Sequence, residues 1–113
     1  MASNAFIMEA RRIRDLAHLG DDDIAAATGA ARSTARAWLA GTRTPTGARV
    51  ARLVELSALV ERLSRVMDPG YIPVWLRKPV AALGDRKPIE LIAAGQYKKV
   101  ARLISALESP GAS

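Results

Sequence analysis

Apolar residues recur at helical spacing along almost the whole chain. Phe6, Ala10, Ile13, Leu16 and Ala17 lie three and four residues apart and predict an amphipathic helix, while Glu9, Arg11, Arg12 and Asp15 fall away from that stripe. His18 sits at its end, before Gly20, as expected of a surface or capping residue. Asp21, Asp22 and Asp23 come next, and they read as a helix start. Asp21 would be the N-cap and the other two acids would face the free N–H groups and the positive end of the helix dipole. A cation site would want more oxygen ligands at alternating loop positions and a turn glycine. The helix over 24–28 stops at Gly29, and a second helix starts near Ala31 or Arg32 and runs to about Ala40, before Gly41. Ile24, Ala35, Trp38 and Leu39 supply their shared contacts, with Ala25 small at the closest approach.

Thr46 is expected to cap a long helix marked by Val50, Leu53, Val54, Leu56, Leu59, Val60, Leu63, Val66 and Met67. A helix of about 20 residues spans roughly 30 Å. An apolar arc that wide predicts packing on both halves of the chain and on a second subunit. Asp68-Pro69-Gly70 breaks the helix, and prolines 69, 73, 79 and 88 divide the C-terminal part of the chain into short pieces. These are a turn over 72–76, a brief helix over 79–83, and a helix over 88–94 ended by Gly95. A final helix over 96–107 would bury Val100, Leu103, Ile104 and Leu107, and the tail over 109–113 is expected to fray or to await a partner. The fold class is therefore all-α: an N-terminal helix-turn-helix bundle over 1–67, joined by the long helix to a small helical C-terminal domain over 68–113.

Composition narrows the function. The chain has 113 residues, half of them apolar and few aromatic, which suits one small domain or two sharing a core. Without cysteine there is no disulfide framework or thiolate metal site, and one histidine excludes a multi-histidine cluster, so no metal or cofactor is expected. No run of about 18 apolar residues predicts a membrane span, and the opening residues lack an apolar signal core, so a cytoplasmic protein is expected.

Charge is concentrated rather than spread. Residues 30–52 hold Arg32, Arg36, Arg43, Arg49 and Arg52 and no acid, which is most of the formal net charge of +6. Two short helices with a glycine turn between them are a helix-turn-helix arrangement, whose second helix enters the major groove. Arg32, Ser33, Thr34 and Arg36 are placed to face DNA there, since arginine can grip guanine O6 and N7 with two bonds. Thr42, Arg43 and Thr44 come after it in a polar loop suited to phosphates. The outward Ala37 and Ala40 allow close approach, and Trp38 is expected in the core rather than stacked on a base. One small recognition helix makes few base contacts, so a two-fold dimer reading two half-sites is expected.

Two stretches carry a family resemblance. DDDIAAATGAARSTARAWLAGTRTP resembles the Xre-type helix-turn-helix, with its small residue, turn glycine and Trp-x-x-Gly ending. VWLRKPVAALGDRKPIELIAAGQYKKVARLISAL resembles the toxin-binding domain of the Xre/MbcA/ParS antitoxin family. Its marks are Trp75, Leu76 and Pro79, then Leu83, Gly84, Pro88, Leu91 and Ile92, and Gly95 followed by Val100 and Leu103. Three residues depart from the pattern. Ala31 replaces a frequent serine N-cap, Ala35 a β-branched residue and Asp85 a common glycine; the first two imply modest DNA affinity without a partner.

The resemblance implies an antitoxin of a RES-type, NAD-consuming toxin, held through the C-terminal domain, and an autorepressor of its own operon through the helix-turn-helix. Its implied partners are the toxin, operator DNA and a second copy, with a higher assembly when toxin is present. Candidate toxin contacts are Trp75, Leu76, Arg77, Lys78, Arg86, Lys87, Tyr97, Lys98, Lys99, Arg102 and the tail after Leu107. For Trp75 the competing role is core packing. Rival readings are a free-standing regulator whose C-terminal half dimerises, a helical adaptor without DNA binding, and a small enzyme. The enzyme lacks a cysteine, a phosphate loop and a convergent acid pair.

Overall fold

A computed structural model of the chain describes residues 4–109; the tail beyond Ser109, expected to fray or await a partner, lies outside the described residues. Among the described residues the α-helices are, in order, α1 Asn4–Ala17, α2 Asp21–Thr28, α3 Arg32–Ala40, α4 Ala48–Leu63, α5 Ile72–Leu76, α6 Pro88–Ala93 and α7 Tyr97–Glu108. Two 3-10 turns, Pro69–Tyr71 and Ala81–Leu83, flank α5 and the loop behind it. The fold is all-α, and the described residues pair as β structure only in an isolated bridge between Val80 and Arg86.

The short helix α2 joins the first part of the chain to the last. It is eight residues long and lies against α3, α4 and α6. An isolated helix of that length is not stable in water, so its neighbours hold it. Ile24, Ala25, Ala27 and Thr28 are all buried, and the alanines let three helices approach one short element. Thr28 sends its hydroxyl back to the Ile24 carbonyl at 2.7 Å, so its burial leaves no unpaired group. One continuous core joins Ile13, Leu19 and Trp38 of the first part of the chain to Ile72, Leu91, Ile92 and Ile104 of the last.

The helix starts differ from those expected. The N-cap of α2 is Gly20, not Asp21: Asp23, three residues on, accepts the Gly20 N–H at 3.1 Å. That frees Asp21 for other partners. The N-cap of α4 is Gly47 at φ +64, not Thr46. A threonine would be strained in that left-handed conformation. On α1 the inward phase begins at Ile7, and Phe6 is 36 % exposed. The helix α4 is 16 residues long rather than about 20, and Val54 lies outside the buried arc. On α7 Val100 and Ile104 are buried, Leu103 is half-buried and Leu107 is exposed.

Side-chain bridges tie the long helix to both ends of the chain. Arg12 of α1 donates to Ser57 of α4 at 2.9 Å and pairs with Glu61 at 3.0 Å, and Ser57 in turn donates to Glu9. Arg62 of α4 grips Glu108 of α7 with two bonds, at 2.6 and 3.0 Å, and donates to Ser105 at 3.0 Å. The hydrogen bond from Arg62 holds the Glu108 carboxyl below its ordinary value of 4.5. A lowered carboxyl pKa stabilises the fold above the unfolded value, and that stability is lost as pH falls through the folded value. Glu108→Gln is therefore expected to lower stability at pH 7 and to flatten its loss between about pH 5 and pH 3. Chemical denaturation across that range measures it; an unaltered acid limb would remove the pair from the fold's pH dependence.

The start of α3 bears out the cap deficit read from the sequence. Ala31 has the extended backbone of an N-cap, at φ −70 and ψ 151, and no side chain to accept from the first turn. Ala31→Ser fits without movement and is expected to raise stability by about 1 kcal/mol. Equilibrium unfolding is the measurement, and no gain would mean that water already serves those N–H groups.

Candidate nucleic-acid interface and basic cleft

The second helix of the motif, α3, turns Ala35 and Trp38 into the core and leaves Arg32, Ser33, Arg36 and Ala40 exposed. Gly29, left-handed at φ +77, makes the turn from α2, and Gly41, at φ +81, ends α3. The arginines do not stand alone on this face. Asp21 accepts from Arg32 Nε at 3.4 Å and from Arg36 Nε at 3.0 Å. The bond from Arg36, with the charge of Arg32, holds the Asp21 carboxyl below its ordinary value of 3.8. No hydrogen bond from the terminal Nη groups of either arginine is made among the described residues, and both side chains are exposed, which leaves forks able to grip a guanine edge or a phosphate.

The other predicted DNA contacts divide. Thr34 is 8 % exposed, and its hydroxyl accepts from Arg43 Nη1 at 3.5 Å, so it steadies Arg43 instead of reaching outward. The backbone N–H groups of Thr42 and Arg43 and the Thr42 hydroxyl all converge on the Ala37 carbonyl, at 3.0, 3.3 and 3.3 Å. These bonds close α3 and hold the loop. Thr44 is half-buried, ahead of a buried Pro45. Arg32, Ser33, Arg36, Thr42 and Arg43 are the exposed members of the set.

One contributor was not visible in the sequence. Arg11 of α1 donates through Nε to the Leu39 carbonyl at 2.9 Å, placing a cation at the negative end of α3. Its guanidinium lies across Gly41, where a Cβ would come within 2.9 Å of Nη2. Spacing along α1 marks Arg11 only as polar, and nothing local to it signals a partner 28 residues away.

The toxin-contact candidates separate in the same way. Leu76 is fully buried and serves the core, and Trp75 is half-buried against that core. Arg77 is paired with Asp23 at 2.8 Å, so the first turn of α2 holds Arg32 and Arg36 through Asp21 and the C-terminal part through Asp23. Lys78 donates to the Tyr71 hydroxyl at 3.3 Å, beside a shallow apolar groove of Pro73, Val74 and Pro79. Tyr97 is half-buried, and Lys87 and Lys98 are exposed. Arg86, Lys99 and Arg102 instead meet around a single cleft of about 540 Å³, floored by Leu83, Leu91 and Leu103.

A closed loop sets the near wall of that cleft. The Val80 N–H donates to the Arg86 carbonyl at 3.1 Å and the Asp85 N–H to the Val80 carbonyl at 3.0 Å. Turning back so tightly requires two left-handed residues, Gly84 at φ +69 and Asp85 at φ +61. Aspartate tolerates that conformation better than most residues, which accounts for its presence where glycine is common.

With both surfaces defined, the likeness to known proteins is informative. The chain is 37 % identical over 76 residues to the mycobacterial cidal antitoxin MbcA of Mycobacterium tuberculosis and of Mycobacterium bovis. The chain belongs to the MbcA antitoxin family. The match takes in 67 % of this chain and 66 % of the length of those relatives. No protein-family model matches the sequence. In fold, the chain superposes on a chain of the solved M. tuberculosis MbcT–MbcA toxin–antitoxin complex with a TM-score of 0.81. That superposition covers 95 % of this chain and 96 % of the other at 24 % identity. The architecture is shared through both the helix-turn-helix and the C-terminal helices.

The position of Asp21 generates a prediction for this MbcA-family chain. Bound DNA would bring phosphates toward a carboxylate that already pairs with Arg32 and Arg36. Asp21→Asn is expected to raise affinity for non-specific duplex several-fold at low salt and to narrow the margin between operator and random sequence. Fluorescence anisotropy with both duplexes tests it; equal affinities for variant and wild type would place Asp21 outside the DNA's field.

Proposed function

We propose that this chain is the antitoxin of a toxin–antitoxin pair, binding its toxin through the C-terminal half and its own operator through the helix-turn-helix. Its relationship to MbcA carries the reading. The exposed forks of Arg32 and Arg36 on a helix-turn-helix support the DNA half of it, and the three cations gathered at one C-terminal cleft support the toxin half. The toxin is of the RES type and consumes NAD⁺. The antitoxin performs no catalysis: it covers the toxin, and the pair represses transcription. Two copies read half-sites about 34 Å apart, because one recognition helix of nine residues reaches few base edges.

Arg36→Ala is expected to weaken operator binding about tenfold or more, at about 1–3 kcal/mol for a bidentate guanine contact, while cells co-expressing the toxin still survive. Wild-type binding should also fall steeply with salt, as cations of the protein displace counterions from the phosphates. Gel shifts across a salt series, with growth rescue beside them, test both halves. An unchanged operator affinity would sink the recognition-helix assignment, and failure to rescue cells from the co-expressed toxin would sink the antitoxin role.

A further inference from the structure

The chain pairs most of its arginines. Arg12, Arg14, Arg32, Arg36, Arg52, Arg62, Arg65 and Arg77 each lie within 4.0 Å of a carboxylate. Arg86, Lys99 and Arg102 have no carboxylate partner among the described residues, and all three line the same cleft. Three like charges converging on one concavity repel one another until an anion enters. The cleft is not purely polar. Its floor is Leu91, which is buried, with Leu83 and Leu103 half-exposed beside it. A free phosphate would satisfy the cations and leave the leucines wet. A nucleic-acid backbone would track an open basic face and gain little from an apolar pit. An amphipathic polypeptide segment satisfies both.

We infer that the cleft between the 81–86 loop and α7 receives an acidic segment of the partner toxin. Two or more of its carboxylates lie on Arg86, Lys99 and Arg102, and an apolar side chain rests on Leu83, Leu91 and Leu103. The inference rests on the antitoxin reading and adds the chemistry of the partner's docking element. Gln96, which also lines the cleft, supplies an amide to the incoming backbone. Rigidity of the walls favours capture without rearrangement: the near wall is the closed 80–86 turn, and the far wall is α7, clamped by Arg62 to Glu108. Charge complementarity of this kind also speeds encounter, and salt weakens it.

The test uses the full chain and the co-expressed toxin, with affinity followed by calorimetry and operator binding by gel shift. Replacing Arg86, Lys99 and Arg102 with glutamine is expected to lower toxin affinity by a factor of ten or more and to leave operator affinity within twofold. Arg14→Gln with Arg65→Gln, exposed arginines outside the cleft, should leave toxin affinity within twofold. Ala106→Trp, which fills the cleft without changing charge, should reproduce the loss. Wild-type toxin affinity in the triple variant overturns the inference. So does an equal loss in the Arg14 and Arg65 control, which marks diffuse electrostatics, or loss of operator affinity alone, which makes the cleft a nucleic-acid contact. A wild-type chain that binds no toxin at all fails earlier, at the antitoxin reading.

Discussion

Three helices of this chain converge on an eight-residue helix that could not stand alone. Close approach is the constraint: α3, α4 and α6 all reach α2, and only a surface of Ala25 and Ala27 with one larger residue, Ile24, leaves room for them. Larger side chains there would push α3 away from the bundle or the bundle away from the C-terminal helices. Because the same side chains seal both contacts, the helix-turn-helix and the C-terminal helices share a core instead of touching at a separate interface.

The first turn of α2 extends that role to electrostatics. Its three acids suit the positive end of the helix dipole, but the geometry gives two of them a second task. Asp21 collects Arg32 and Arg36 from α3, and Asp23 collects Arg77 from beyond α5 while capping its own helix through Gly20. All three are surface pairs, so their worth to stability is small. Their value is positional, since they hold arginine forks at fixed places on a helix that would otherwise carry loose side chains. The C-terminal half obeys the same logic through Arg62, which binds α7 to α4 and so fixes the far wall of the basic cleft.

Much of this was legible in the sequence wherever the determinant was local. Gly29 and Gly41 are left-handed because the chain must turn there, and both mark helix ends as their composition suggests. Trp38 is buried, as its place on an apolar face implied. The misplacements share a cause. Residue preference puts the caps at Asp21 and Thr46 and spacing puts Phe6 inward, and each position goes to a neighbour that the tertiary arrangement favours. Gly20 and Gly47 took the caps, and Ile7 took the inward phase. Leu76 and Thr34 were candidate contacts by motif and turned inward, because a motif fixes spacing and not which way the surface lies.

The sequence alone determined the helices, the glycine turns, the all-α class and the concentration of arginine over 30–52, since each depends on residues within a few positions of one another. It also carried the relationship to the MbcA family, through residues scattered over both halves. Only the tertiary structure decided which cations are spoken for. Asp21 lies 11 and 15 residues from its arginines, Asp23 54 from Arg77, and Glu108 46 from Arg62. No local pattern encodes those pairings. Arg86, Lys99 and Arg102 are left without carboxylates around one cleft, and that cluster could be found only after the chain had folded.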